Sequence, residues 1–169
     1  MTGWWALAFV VLWLLVVVLC IVVIALARQV GTLHLRLGPR GALEIDDEGP
    51  AIGEPLPTVT AATPGGHPIT IGGAGRPRLV LFASETCAIC REVSPGIPAA
   101  AAAGRLDPIV VHDSAAERRL DVPGTPFVVV LDEHGIVRAK GTVNNLEQVE
   151  GLVDTANRRI TEEHRQWAS

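Results

Sequence analysis

The sequence predicts an α/β fold, a central mixed β-sheet flanked by helices, preceded by one N-terminal transmembrane helix. Three observations lead to this prediction. Residues 4–27 contain no charged residue and no proline, short apolar runs rich in β-branched residues recur between residues 58 and 141, and residues 146–160 repeat apolar side chains at the helical period. Strands interspersed with helices in this order are typical of a layered α/β sandwich.

These segments divide the 169-residue chain into an anchor, a linker and one folded domain. This length suits one domain of ordinary size plus an extra segment. The Gly38-Pro39 pair is expected to end the first helix, because proline interrupts helical hydrogen bonding. The predicted parts are a short tail (1–3), a transmembrane helix (4–27), the end of that helix with a linker (28–56), the folded domain (57–165) and a C-terminal tail (166–169).

Residues Trp4 to Ala27 are apolar enough to cross a lipid bilayer. As a helix they extend about 36 Å at ~1.5 Å per residue, and the hydrocarbon core is about 30 Å thick. A cleaved signal peptide is the main alternative, because Ala25-Leu26-Ala27 resembles a cleavage site. The apolar run is longer than a usual signal core and no basic residue precedes it, which favours a retained anchor. Cys20 lies in this span and is interpreted as a small apolar residue.

All charged residues follow the anchor, so the formal net charge of −4 belongs to the rest of the chain. A mildly acidic domain without a basic stripe is poorly suited to bind nucleic acid, and we expect no nucleic-acid partner. Arg28, Arg36 and Arg40 come soon after the anchor. Taken alone, they favour a cytoplasmic domain by the positive-inside rule.

The folded domain is expected to begin with two short strands separated by a Pro-Gly-Gly turn. The next three runs are almost continuously apolar, as expected for strands that are buried on both faces. A turn at 132–135 leads to the last strand, which should form an antiparallel hairpin with the strand before it. The predicted strands are 58–61, 68–71, 78–83, 108–112, 127–131 and 136–141.

Helices are predicted in the intervals between these strands. One begins around Cys87 and is interrupted at residues 95–98, before an alanine run. For the last helix, Asn144 is the predicted N-cap with Glu147 at the third helical position. Its apolar stripe consists of Leu146, Val149, Val153, Ala156 and Ile160.

Cys87 and Cys90 form a Cys-x-x-Cys pair directly after a predicted strand. A zinc site needs about four ligands, and the folded domain offers two cysteines and no closely spaced histidine pair, so we expect no metal and no cofactor. A purely structural disulfide would close too short a loop to constrain the unfolded chain much. Redox chemistry fits better, because the free N–H groups at a helix start favour a Cys87 thiolate. Cys90, one turn along, can then resolve a mixed disulfide.

Two proline-containing segments make this site resemble the thioredoxin superfamily. Pro95 follows the second cysteine by five residues, as in the active-site helix of that superfamily. Residues 122–126, VPGTP, are similar to its cis-proline loop and directly precede a predicted strand. The resemblance covers about residues 51–165 and implies a thioredoxin-like fold.

The same resemblance implies roles for individual residues. Pro126 would be the cis proline that packs against the active-site disulfide, and Cys87 would be the exposed nucleophile. The backbone of Thr125, with Thr86 on the other side of Cys87, would dock an extended substrate segment.

The sequence departs from the thioredoxin pattern at two positions. Thr86 stands where thioredoxins usually have Trp, and Leu81 stands where they have a buried Asp that handles the proton of the second cysteine. Glu85 and Glu92 are the nearest candidates for a substitute proton acceptor, and the favoured interpretation of each is a solvated surface carboxylate. The two residues between the cysteines lack the Pro and His side chains that tune the potential in relatives. The direction of electron transfer is therefore left open.

Other segments resemble the MauD family, the membrane-anchored accessory thioredoxins of methylamine utilisation. They are residues 27–43, 49–57 and 132–153. This resemblance implies a thiol–disulfide oxidoreductase for an exported, disulfide-rich protein, the small subunit of methylamine dehydrogenase, and a membrane redox partner that recycles the pair. It also implies a periplasmic domain. We favour that side over the cytoplasm, because the resemblance covers the whole architecture whereas the arginine bias is modest.

Three alternatives follow from the same features. A reductant for apocytochrome c assembly, of the TlpA and ResA type, shares the anchor and the fold. A redoxin-type peroxidase needs the pattern Pro-x-x-x-Thr/Ser-x-x-Cys, and the chain keeps Ser84 but has Val80 in place of the proline. A non-enzymatic membrane scaffold predicts that replacing Cys87 or Cys90 has no effect.

Overall fold

The computed structural model describes residues 3–36 and 48–167, with side chains described for residues 3–23 and 48–166. These residues belong to two compact units, one with the N-terminal helix and one with the remaining elements. The predicted helix stop at Gly38-Pro39, the linker residues 37–47 and the tail residues 168–169 lie outside the described residues.

The N-terminal unit is a single helix, α1 (Gly3–Arg36). Its apolar part, Gly3–Val23, is long enough to cross a membrane. Large apolar side chains are exposed on every face of this segment, from Trp4 to Val23. Such a pattern is typical of a helix that lies in lipid, so this segment is a candidate membrane span.

The described part of the second unit contains six strands: β1 (Val59–Ala62), β2 (Pro68–Ile71), β3 (Arg78–Phe82), β4 (Asp107–Val111), β5 (Phe127–Leu131) and β6 (Val137–Thr142). The last four form a mixed sheet in the order β4–β3–β5–β6. β3 pairs parallel with β4 and antiparallel with β5, and β5 and β6 form the predicted antiparallel hairpin. β1 and β2 form a separate antiparallel hairpin.

The helices of this unit are α2 (Ala88–Val93), α3 (Ile97–Ala103), α4 (Ser114–Arg119) and α5 (Leu146–Trp167), with a 3₁₀ turn (Ser94–Gly96) between α2 and α3. Pro95 lies in that turn, which confirms the predicted interruption. A proline cannot donate the backbone hydrogen bond that a continuous helix would need there.

Both faces of the sheet are covered, because successive side chains of each strand point to opposite sides. Leu79 and Leu81 of β3 pack on one side with residues of α2, α3 and α5. Val80 and Phe82 pack on the other side with residues of β1, β2 and α4. We call the side of the sheet that carries Leu79, Leu81 and Val130 the α2 face.

The start of α5 differs from the prediction by one residue. The side chain of Asn145, not Asn144, caps the helix, because its Oδ1 accepts a hydrogen bond of 2.9 Å from the N–H of Gln148. Gln148 in turn accepts a 2.6 Å bond from the N–H of Asn144. Glu147 is therefore the second helical residue, and the reciprocal cap uses Gln148. Within the predicted stripe Val149, Val153 and Ala156 are buried, whereas Leu146 and Ile160 are half-buried.

Residues 48–56 pack against the rest of the second unit, although the sequence assigns them to the linker. Leu56 is buried, and its N–H donates to the carbonyl of Gly135. Pro55 forms a bridge to Ile136, and the Glu48 carbonyl accepts a 2.7 Å hydrogen bond from Nζ of Lys140. These contacts join the end of the predicted linker to the β5–β6 hairpin.

The turn between β5 and β6 is organised by Asp132, which is 5% exposed. Its Oδ1 accepts the N–H groups of His134 and Ile136 at 2.8 and 2.9 Å, and its Oδ2 accepts Nε of Arg138 at 2.7 Å. Arg138 also pairs with Glu163 of α5. These hydrogen bonds with Asp132 and Glu163 keep the pKa of Arg138 above its ordinary value, although burial acts to lower it. The Asp132 carboxylate thus connects the turn, β6 and, through Arg138, α5.

Candidate active site

Cys87 and Cys90 are joined by a disulfide at the start of α2, where the chain leaves β3. Their Cα atoms are 5.2 Å apart. Cys87 is the N-cap of α2 and not a residue of its first turn, because its backbone is extended. Its Sγ accepts a 3.0 Å hydrogen bond from the N–H of Cys90. A backbone donor in this position stabilises negative charge on Cys87 after reduction.

The two sulfur atoms differ in their access to solvent. Cys87 is half-buried at the surface, whereas Cys90 is 2% exposed and belongs to the core of the α2 face with Leu81 and Val93. A disulfide or thiol of another protein can therefore reach Cys87 before Cys90. The arrangement suits attack by Cys87 and resolution by Cys90.

The predicted cis-proline loop lies beside Cys87. The Thr125–Pro126 peptide bond is cis, which confirms the prediction for this bond. Sγ of Cys87 lies 3.9 Å from the carbonyl oxygen of Thr125. Pro126 is buried and its carbonyl accepts the N–H of Val143, whereas Thr125 is half-buried. The backbone of Thr125 is thus held next to the sulfur that a substrate would approach.

The other predicted site residues surround the start of α2. Thr86 is exposed, and its Oγ1 is hydrogen-bonded to Oγ of Ser84 at 3.0 Å. Glu85 and Glu92 are both exposed, and the backbone carbonyl of Glu85 accepts a 3.0 Å bond from Arg91. Leu81 is fully buried behind Cys90, so this position supplies an apolar contact where thioredoxins have a carboxylate.

A cleft of about 390 Å³ opens next to Cys90. Glu85 lies on its wall, whereas Glu92 is not among its lining residues. The wall also contains His112, a residue that the sequence reasoning did not select. The available signal was its position just after β4, the buried apolar strand that follows the helices of the cysteine pair.

The residue after His112 fixes the end of β4. Asp113 caps α4, since its Oδ1 accepts the N–H groups of Ala115 and Ala116 at 2.8 and 3.1 Å. Its Oδ2 accepts the N–H of Ala62 at 3.2 Å. The bond from Ala116 is the main reason why the pKa of Asp113 lies below its ordinary value.

Across residues 3–36 and 48–167, no cluster of three His, Cys, Asp or Glu side chains is arranged to hold a metal ion.

Comparison with known sequences finds relatives that span most of the chain. No family model matches the sequence. The methylamine utilization protein MauD of Methylobacillus flagellatus is 36% identical, over 86% of this chain and 83% of its own length. The protein of the same name from Paracoccus denitrificans is 33% identical, over 91% of this chain and 90% of its own length.

Among solved structures, similarity is seen in the fold. A crystal structure from Chlorobium tepidum, assigned as a thiol:disulfide interchange protein DsbE, has a TM-score of 0.52 with this chain. The match covers 66% of this chain and 99% of the other, at 15% sequence identity. The thioredoxin-like fold that the sequence predicts is thereby confirmed.

Proposed function

The chain belongs to the MauD family of methylamine utilization proteins, and we propose that it is a membrane-tethered thiol–disulfide oxidoreductase that matures an exported, disulfide-rich partner. The observation that supports this most strongly is the position of Cys87. It caps α2, is accessible, and lies 3.9 Å from the carbonyl of a cis-proline loop. A structural disulfide needs none of these features.

The exchange proceeds in two steps. In the reduced protein the Cys87 thiolate attacks one sulfur of a partner disulfide, that S–S bond breaks, and the other partner sulfur leaves as a thiolate and takes up a proton. Cys90 then loses its proton and attacks Sγ of Cys87. The mixed disulfide breaks, the partner leaves reduced by two electrons, and the Cys87–Cys90 disulfide forms. The reverse sequence introduces a disulfide into the partner, and the two reduction potentials decide the direction.

The partner docks on the surface formed by Thr86, Cys87 and Thr125. An extended segment can pair with the backbone at Thr125 while its sulfur lies over Cys87. Main-chain pairing requires little of the partner's side chains, so an incompletely folded chain is an acceptable substrate. This recognition mode fits a maturation factor better than an enzyme for one small molecule.

The anchor places the exchange at the membrane surface. A tether raises the effective concentration of the dithiol where exported chains emerge. We place the domain on the periplasmic side, because disulfide formation and repair are required for exported proteins. Each turnover leaves the pair in the opposite redox state, so a membrane redox partner must recycle it.

The partner that we propose is the disulfide-rich small subunit of methylamine dehydrogenase. The relatives from Methylobacillus flagellatus and Paracoccus denitrificans are both named for methylamine utilization, which supports this choice. A chromosomal Cys87→Ser change, in a host that carries this chain and an amine dehydrogenase, should abolish assembly of the dehydrogenase. The transcript of its small subunit and the content of c-type cytochromes should stay normal.

A Cys20→Ser change is the matched control, because Cys20 lies in the candidate span and not at the site. That strain should assemble the dehydrogenase normally. Normal dehydrogenase together with loss of c-type cytochromes in the Cys87→Ser strain would contradict the proposal and assign the chain to cytochrome c assembly.

A further inference from the structure

His112 lies on the same side of the sheet as the cysteine pair. It directly follows β4, which is parallel to β3, so both strands end at the edge where α2 begins. Side chains two residues apart on a strand share a face, and Val110 packs against the core of the α2 face. His112 continues that face beyond the last strand residue. It lines the same cleft as Cys90, Val110 and Glu85.

The imidazole of His112 has an unused polar atom. Nδ1 is buried, and within the described residues it has no hydrogen-bond partner. A buried polar atom without a partner carries a free-energy cost, so such atoms usually have a function or a bound water. The side chain as a whole is half-buried and lines the cleft of about 390 Å³, which has room for a water.

Cys90 requires a proton acceptor, and a neutral imidazole is one. Its thiol must lose a proton before it attacks the mixed disulfide, and burial in an apolar environment disfavours the thiolate. The residue behind Cys90 on β3 is Leu81, which cannot accept a proton. Among the described residues that line the cleft, His112 and Glu85 carry the two side chains, an imidazole and a carboxylate, that can accept a proton from a thiol. Glu85 is exposed, and its carboxylate is solvated.

We propose that His112 accepts the proton of the Cys90 thiol, directly or through one water in the cleft, and so activates the resolving step. The S–H bond of Cys90 breaks and its proton passes to the imidazole. The Cys90 sulfur then forms a bond with Sγ of Cys87, while the bond between Cys87 and the partner breaks and the partner leaves as a thiolate. In the opposite direction the imidazolium returns the proton to Cys90 as the disulfide opens.

Charged groups surround this histidine. Glu85 and Arg91 line the cleft from the α2 side, and Asp113 and Glu117 lie on the α4 side. Burial raises the pKa of Glu117, the nearby Asp113 charge adds to this increase, and Arg118 opposes it. The pH dependence of the resolving step must therefore be compared between variants that change one of these groups at a time.

The test measures the two steps of exchange separately in the full chain, in detergent. Cys20→Ala is the background variant, so that only Cys87 and Cys90 react. The reduced protein is mixed with a chromogenic aromatic disulfide in a stopped-flow instrument. The first equivalent of aromatic thiol reports attack by Cys87, and the second reports resolution by Cys90. His112→Gln should slow the second phase about a hundredfold or more near neutral pH and flatten its pH profile, while the first phase is unchanged. His134→Gln, in the exposed β5–β6 turn, is the matched control and should change neither phase.

This inference rests on the proposed exchange reaction. The outcomes of the test show whether the role of His112 fails or the exchange reaction itself fails. A normal second phase in His112→Gln, or a slow one in Glu85→Gln alone, overturns the role of His112. Absence of both phases in the unchanged protein instead overturns the proposed thiol–disulfide oxidoreductase activity. A second measurement needs no variant: the NMR titration curve of the His112 ring should differ between the reduced and the disulfide forms, whereas that of His134 should not. Identical His112 curves would contradict the proposal.

Discussion

Replacing Cys87 with Ser should reduce thiol–disulfide exchange by about three orders of magnitude or more, because a serine hydroxyl does not supply an anionic nucleophile near neutral pH. Cys90→Ser should lose turnover equally but still form a mixed disulfide through Cys87. The measurement is the reduction of a small chromogenic disulfide by the pre-reduced full chain in detergent. Thermal unfolding of reduced Cys87→Ser should resemble that of the reduced parent, because Cys87 is half-buried at the surface and Ser is nearly isosteric with Cys.

The same prediction requires unequal reactivity of the two thiols. Cys87 is half-buried and Cys90 is 2% exposed, so brief alkylation of the reduced chain should label Cys87 first. Equal labelling, or preference for Cys90, would contradict the assignment of nucleophile and resolving residue. Normal assembly of the dehydrogenase in cells that carry either Ser variant would instead support the non-enzymatic scaffold.

Asp132→Ala should destabilise the folded domain by about 3 kcal/mol or more. The change removes three hydrogen bonds and leaves Arg138, whose side chain is 14% exposed, without one of its two carboxylate partners. Removing one member of a buried ion pair typically costs about 3–5 kcal/mol. Thermal unfolding should shift downward by more than about 10 °C for a domain of this size.

The control for this prediction is the neighbouring residue. Glu133 pairs with His134 at 3.6 Å, and both side chains are more than half exposed, so Glu133→Ala should change stability by less than about 1 kcal/mol. An equal effect of the two substitutions would show that Asp132 does not organise the turn. Glu163→Ala should produce an intermediate loss, because Arg138 keeps its bond to Asp132.

Much of the fold follows from local patterns in the sequence. Continuous apolar runs predict the strands, because the sheet is covered on both faces, and Pro95 predicts the break between α2 and α3. The reactive pair follows from its spacing and from its place after a strand. The cis bond before Pro126 could be predicted only through resemblance to a family, since nothing in the local sequence specifies it.

Features that depend on tertiary contacts were not predictable in this way. His112 shares a cleft with Cys90 because β4 lies parallel to β3, a pairing that brings together residues far apart in the chain. Asn144 and Asn145 are both suitable caps, and only the position where α5 begins selects Asn145. The packing of residues 48–56 depends on the β5–β6 hairpin, which lies about 80 residues further along the sequence.

The most direct test of exchange with an exported protein is to trap the partner on Cys87. Membranes from cells that express the Cys90→Ser variant should contain a mixed disulfide that a reductant releases, since the resolving thiol is absent. The Cys87→Ser/Cys90→Ser double variant is the control and should trap nothing. Mass spectrometry should identify an exported protein with several disulfides, expected to be the small subunit of an amine dehydrogenase. Trapping of cytoplasmic proteins alone, or no mixed disulfide through Cys87, would contradict both the function and the side of the membrane proposed here.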